Sequence, residues 1–178
     1  IDEVAEDKMV KAVVFRVSSP GGSAYGSEQI WHALTNLKKQ KPLVVSMGDY
    51  AASGGYYISC MADQIIAQPN TITGSIGIFG VIPDLSGLNN KIGLTYDGVK
   101  TNKMSDAISL NRPFRPEERE LMQSYVDRGY ELFVKRCADG RGKKVDEIKA
   151  IAEGRVWTGE DALKIGLVDK IGGLDEAI

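Results

Sequence analysis

Pro42-Leu43-Val44-Val45-Ser46-Met47-Gly48-Asp49-Tyr50-Ala51-Ala52-Ser53-Gly54-Gly55-Tyr56-Tyr57 is the stretch on which the fold turns. Pro42 to Met47 reads as a short apolar strand of the kind buried inside a sheet. Small and turn-forming residues carry it to Ser53, and a helical stretch follows. A serine at such a junction presents its hydroxyl beside the free N–H groups of a helix start, where the backbone dipoles favour negative charge. The commoner role for a serine in this position is a plain N-cap.

Upstream, Lys11 to Val17 is a second buried strand, ending at Ser18-Ser19-Pro20-Gly21-Gly22. A helix follows, because Ile30, Ala33, Leu34 and Leu37 share one apolar face at the i, i+3, i+4, i+7 spacing. Ile1 to Asp7 are expected to lead straight into the first strand. Two glycine turns at the ends of neighbouring parallel strands would open into one crevice. Adjacent glycines can also turn backbone N–H groups toward an anion.

Downstream, Gln64 to Ala67 reads as a third strand and Gly74 to Ile82 as a glycine-rich fourth. Leu85 to Ile92 is a short helix, Gly93 to Val99 a further strand, and Thr101 to Arg115 a long loop. Pro116 opens a long amphipathic helix carrying Leu121, Met122, Tyr125, Val126, Leu132 and Phe133, running to about Ala138. Val145 to Ala152 is another helix. Thr158 and Asp161 have capping-box spacing and open a helix that Gly166 closes. Leu167 to Asp169 is a short strand, and Leu174 to Ile178 the start of a helix. Strands alternating with helices predict an α/β layered fold.

Composition narrows the function. The 178 residues can bury a real core, with 43% of them apolar. Lys and Arg number 22 against 24 Asp and Glu, a net charge of −2, so no basic stripe invites nucleic acid. There is one histidine, His32, placed mid-helix beside Trp31, which reads as a structural or surface residue. The two cysteines, Cys60 and Cys137, lie in apolar stretches and read as buried free thiols. One histidine and two separated cysteines make no transition-metal site, and no cofactor is expected. No apolar run approaches the length of a membrane span.

The chemistry therefore rests on hydroxyls, lysines and backbone N–H groups. Around Ser53, Ala51 and Ala52 are small and Gly54 and Gly55 leave room for a substrate backbone. Thr71-Ile72-Thr73-Gly74-Ser75-Ile76-Gly77 carries glycines inside a strand pattern, a sign of close backbone approach. Ser75 is a second candidate nucleophile, though lining a pocket or binding a substrate backbone suits it better.

These segments together resemble the signal peptide peptidase A family. The residues are Ser19-Pro20-Gly21-Gly22, Met47 through Tyr57, Thr73-Gly74-Ser75-Ile76-Gly77-Ile78-Phe79-Gly80, Gly154-Arg155-Val156-Trp157-Thr158-Gly159 with Ala162, and Gly166-Leu167-Val168-Asp169. They stand in family order over nearly the whole chain. The resemblance implies a Clp protease/crotonase-like fold, an α/β architecture of repeated β-β-α units with a mixed sheet flanked by helices, and residues 1–178 as one such domain cut from a longer chain. It implies Ser53 as nucleophile, Gly22 and Gly54 as oxyanion-hole donors, and Gly21 and Ser75 in substrate binding. It implies peptide substrates such as signal-peptide remnants, homo-oligomers, and a bacterial membrane-anchored protein whose protease domain faces outward, the fragment itself being soluble.

The family's general base is a lysine about 50 residues after the serine in single-unit members. Lys100 and Lys103 lie in that region. Aligned back from Arg112 without gaps, the family's lysine falls on Ser105, and Lys103 takes its place only across a gap. Long members have two tandem halves, the C-terminal half giving the serine and the N-terminal half the lysine. Gly80-Val81-Ile82 and Tyr96-Asp97-Gly98-Val99 resemble such a C-terminal half. The resemblance then implies a base outside these residues, with Lys103 as the internal alternative. Two other functions remain open on sequence alone. One is an acyl-CoA enzyme of the crotonase class, the other a non-catalytic scaffold of the same fold.

Overall fold

The computed structural model describes residues 1–178. In chain order the elements are α1 (Asp2–Glu6), β1 (Val13–Ser19), α2 (Ala24–Lys38), β2 (Leu43–Ala52), α3 (Gly54–Tyr57), β3 (Gln64–Ala67), β4 (Ile72–Gly74) and α4 (Ser86–Lys91). They continue with α5 (Pro116–Arg141), α6 (Val145–Ile151), β5 (Val156–Thr158), α7 (Gly159–Lys164) and β6 (Lys170–Ile171). Residues 1–77 and 130–178 form one compact unit and residues 78–129 a second.

The first unit is built on β2. β1 lies parallel to it, with Val13 opposite Leu43 and Val17 opposite Met47. A register shift between Val17 and Ser19 then sets Ser19 opposite Ala51. On its other edge β2 pairs in parallel first with β3, at Val44 to Ser46, and then with β4, at Tyr50 to Ala52. β6 extends the sheet parallel to β3, and β5 closes it antiparallel to β4. Leu43, Val45, Ser46 and Met47 are all fully buried, which is why the strand reads as a nearly unbroken apolar run. Leu34 and Leu37 of α2 and Phe133 and Val134 of α5 are buried as well. Each such side chain contributes roughly 1.5–3 kcal/mol on leaving water, so packing rather than helix propensity holds these helices. The mixed sheet flanked by helices is the architecture that the family resemblance implies.

Several elements differ from the sequence reading. The strand expected over Gly74 to Ile82 is instead β4, which ends at Gly74, where φ is +76° and the next residue, Ser75, has φ +49°. Two successive left-handed residues turn the chain out of the sheet. Gly93 to Val99 forms no strand, since no neighbour offers a ladder, and Val99 is wholly exposed. Ile1 to Asp7 contain a helix, with the Lys41 ammonium donating to the Val4 and Asp7 carbonyls at 2.5 Å each. The strand expected at Leu167 to Asp169 begins after Asp169, at Lys170. Asp169 itself is tied to Ile65, accepting from its N–H at 2.8 Å and donating to its carbonyl at 2.9 Å. Leu174 to Ile178 make turns rather than a helix, α5 continues past Ala138 to Arg141, and β5 went unread inside a glycine-flanked motif.

The second unit holds α4, a run of turns and the start of α5. Its firmest feature is an ion cluster. Arg112 grips Glu118 with two bonds of 2.7 and 2.8 Å and reaches Asp106, while Arg115 bonds Asp106 and Glu118 at 2.6 Å each. Glu118 is only 1% exposed, and both arginines satisfy its charge. No helix of the chain is long and apolar enough to cross a membrane.

Candidate active site

The carboxyl ends of β1, β2 and β4 lie side by side, and the site grows from that alignment. Ala51 and Ala52, the last residues of β2, are buried between the neighbouring strands. The Thr73 hydroxyl donates to the Ala51 carbonyl at 2.7 Å, and the Ser53 N–H donates to the Gly74 carbonyl at 2.9 Å. These bonds carry the sheet's order into the turn. Ser53 then has φ +51° and ψ −120°, a conformation that a residue with a side chain seldom adopts. Such a conformation costs about 1–3 kcal/mol and persists where the surroundings impose it.

Ser53 stands at the N-cap position of α3, yet its side chain makes no capping bond. The contrast within the same chain is instructive. Ser23 caps α2 by accepting from the Gly26 N–H, and Thr158 caps α7 by accepting from the Asp161 N–H, each at 3.1 Å. The plain capping role open to Ser53 in the sequence is therefore not the one it fills. Its hydroxyl is half-buried and uncommitted at the top of the sheet.

The Ser19–Gly22 turn packs directly on this junction. A Cβ at Gly21, where φ is +105°, would fall 2.7 Å from the Gly54 nitrogen and 2.8 Å from the Ser53 Cβ. A Cβ at Gly54 would fall 2.5 Å from the Ser27 Oγ and 3.3 Å from the Gly22 nitrogen. Both glycines exist so that two backbones can touch. The N–H groups of Gly22 and Gly54 find no partner in the chain. Two unsatisfied donors therefore lie beside an unsatisfied hydroxyl. Beneath them, the Tyr56 hydroxyl donates to the Leu167 carbonyl at 2.9 Å, and complete burial pushes its pKa well up.

The amino-acid pattern matches that of known proteins. The model of peptidase family S49 matches residues 35–178. The chain belongs to peptidase family S49. Relatives include Protease 4 of Salmonella typhi, 48% identical over 97% of this chain and 28% of its own length. Protease 4 of Haemophilus influenzae is 45% identical over 97% of the chain and 28% of its own length. The chloroplastic serine protease SPPA of Arabidopsis thaliana is 41% identical over 100% of the chain and 26% of its own length. The chain thus spans about a quarter of the length of these S49 relatives.

Other residues singled out in the sequence of this S49 chain lie as follows. Ser75 follows β4 in a left-handed conformation and donates its N–H to the Arg155 carbonyl at 2.7 Å. His32 is exposed on α2 beside Asn36, as a surface residue would be. Cys60 and Cys137 are free and buried. Lys103, in the second unit, is 72% exposed and bonds Glu117 at 2.6 Å, a contact that holds the Glu117 carboxyl below its usual range. Lys100 pairs with Asp106 at 3.6 Å. No group of His, Cys, Asp or Glu is arranged to hold a metal ion. Sequence reasoning passed over Ser27 and Glu28, which meet α3 from α2. The helix pattern marks apolar positions, so polar residues on the same inner face leave no signal in it.

Proposed function

We propose that the protein is a serine endopeptidase in which Ser53 is the nucleophile and the N–H groups of Gly22 and Gly54 receive the oxyanion. The observation that carries this reading is the free Ser53 hydroxyl, held at φ +51° next to two N–H groups without partners. The Ser53 Oγ attacks the substrate carbonyl carbon and gives its proton to a neutral lysine amine. The carbonyl oxygen becomes an oxyanion between the two donors, which suit the tetrahedral state better than the planar one. Collapse expels the amine, which takes the proton from the lysine ammonium. Water then hydrolyses the acyl-enzyme by the same path in reverse roles.

The lysine is assigned to a part of the protein outside these 178 residues, because the two lysines near the family's interval, Lys100 and Lys103, each sit in an exposed ion pair. A lysine base needs an apolar setting that favours its neutral form. Gly21 and Ser75 border the crevice and would receive substrate backbone. The substrates are extended, unfolded peptides, signal-peptide remnants among them, in keeping with the family resemblance and with a site of small residues and backbone donors. Self-association, a membrane anchor and an outward-facing protease domain belong to the same reading, as does the treatment of residues 1–178 as one peptidase domain. The acyl-CoA alternative has no observation in its favour, since the family match is to a peptidase.

A fluorophosphonate probe applied to the complete protein tests the assignment. Covalent labelling at Ser53, with loss of both labelling and peptide turnover in a folded Ser53→Ala variant, is the expected result. A residual rate from binding and donors alone would be small. Turnover near that of the parent in Ser53→Ala would refute it.

A further inference from the structure

The two N–H donors assigned to the oxyanion belong to different elements. Gly22 precedes the Ser23 cap of α2, while Gly54 opens α3. Their spacing is therefore only as fixed as the contact between α2 and α3. One edge of that contact is the Ser27 hydroxyl packed against Gly54. The other edge is polar. The Tyr57 hydroxyl, at the far end of α3, donates to one Glu28 carboxylate oxygen, and Arg136 of α5 donates to the other at 2.8 Å. The Arg136 guanidinium in turn lies 3.8 Å from the Trp31 ring of α2. The Tyr57 ring rests on Phe133 of α5, with centroids 4.8 Å apart.

We propose that Glu28 is a positioning residue, which through Tyr57 and Arg136 sets the distance between the Gly22 and Gly54 donors. This rests on the peptidase reading given above. A bond at the end of a helix as short as α3 acts on its start as on a rigid rod, because only one turn lies between Tyr57 and Ser53. Burial and the Glu28 bond push the Tyr57 phenol well above its ordinary pKa, so it remains a donor at any working pH. The arrangement does more than pack. Leucine or methionine could fill the same space without fixing a direction, whereas a carboxylate held by two donors from two helices fixes both. A displacement near 1 Å at reacting groups costs about 100-fold in rate, so a modest loss of alignment is readable in kcat.

The test uses the complete protein and three variants: Tyr57→Phe, Glu28→Gln and Glu28→Ala. Tyr57→Phe keeps the ring on Phe133 and removes only the hydroxyl. Glu28→Gln keeps an acceptor oxygen and removes the charge. Active sites are counted with the fluorophosphonate, so that kcat refers to folded protein. Tyr57→Phe and Glu28→Ala are expected to lose about 10- to 100-fold in kcat with KM within about twofold. Affinity for a peptide aldehyde, which forms a tetrahedral adduct with the serine, should fall by a similar factor. Glu28→Gln should lie between these and the parent. The Glu28→Ala/Tyr57→Phe double variant should be no worse than the poorer single one, as expected of residues acting as a unit. Parental kcat and aldehyde affinity in Tyr57→Phe and Glu28→Gln would overturn the proposal, and so would a change confined to KM. If Glu28→Ala does not fold, the other two variants decide. Failure of the parent itself to label would remove the peptidase reading, and this inference with it.

Discussion

Gly54 has no room for a methyl group, and the reason lies across the chain at Ser27. A Cβ there would meet the Ser27 Oγ at 2.5 Å, with Gly21 and Gly22 backbone atoms at 3.3 Å. Gly54→Ala is expected to destabilise by about 1–3 kcal/mol, the usual range for overpacking. Ser27→Ala should recover part of that loss in the double variant, because the nearest clash is with the hydroxyl. Denaturant unfolding of the four proteins measures it, and additive losses would refute the contact. Gly22 is the converse case. A Cβ there meets nothing within 4 Å, but its φ of +150° disfavours a side chain. Gly22→Val should therefore lower kcat about 10- to 100-fold through a displaced donor, and also lower stability by about 1–3 kcal/mol through backbone strain. Normal turnover in a folded Gly22→Val would exclude Gly22 from the oxyanion hole. At this scale the sequence was informative where glycines inside a strand pattern mark a close approach, as at Gly74 against Trp157 and Gly77 against Gly154. Gly21 and Gly54 turn out to make room for each other's backbone, an approach not read from the sequence. It was silent on the left-handed backbone of Ser53, because no residue type announces a strain that the surrounding sheet imposes.

Elements were legible where a periodic apolar face or a cap defined them. α2, β3, α6 and the Thr158 cap stand close to their expected places. Strands read from composition alone fared worse. Gly93 to Val99 has the composition of a strand and no neighbour to pair with, and pairing is a property of the whole sheet. The start of α5 was legible from Pro116, but the ion cluster beneath it was not. That cluster has a pH consequence. The hydrogen bond from Arg112 is the largest cause holding the Glu118 carboxyl far below its ordinary value, against the opposing effect of burial, and Arg115 adds to it. A group whose pKa is depressed on folding stabilises the fold above its unfolded pKa, about 4.3 for Glu, and loses that contribution as pH falls toward the folded value. The parent should thus lose stability steeply below about pH 4.5. Glu118→Gln should be less stable at pH 7 and show a shallower acid slope. Unfolding midpoints between pH 3 and pH 7 measure the slopes, and parallel curves would show that Glu118 does not carry the effect.

At the scale of the whole molecule, the question is whether one chain segment of this size holds a complete catalytic set. The proposed nucleophile Ser53 and the proposed donors Gly22 and Gly54 lie in the first unit, on elements that one sheet orders. On the proposed reading a base must still be found. Serine is a weak nucleophile without a group to take its proton. His32 is exposed on α2 and bonds Asn36, so it offers no triad. Lys41 is buried, but its ammonium is spent on the Val4 and Asp7 carbonyls. Lys38 donates to the Met61 carbonyl and pairs with Asp63. Near the family's interval stand Lys100, paired with Asp106, and Lys103, whose ammonium lies on an exposed surface against Glu117. An ion pair in water holds a lysine through its charged form, whereas a general base must act through its neutral one. Lys103→Ala in the complete protein is therefore expected to leave kcat/KM within about twofold, because an exposed ion pair worth at most about 1 kcal/mol bears on stability and not on the reacting groups. The 178-residue chain by itself should fail to hydrolyse a chromogenic peptide ester through Ser53. Serine-dependent turnover by that chain, abolished in Lys103→Ala, would overturn the shared-site reading. It would require the Lys103–Glu117 pair to open and deliver the lysine to Ser53, making the peptidase self-sufficient.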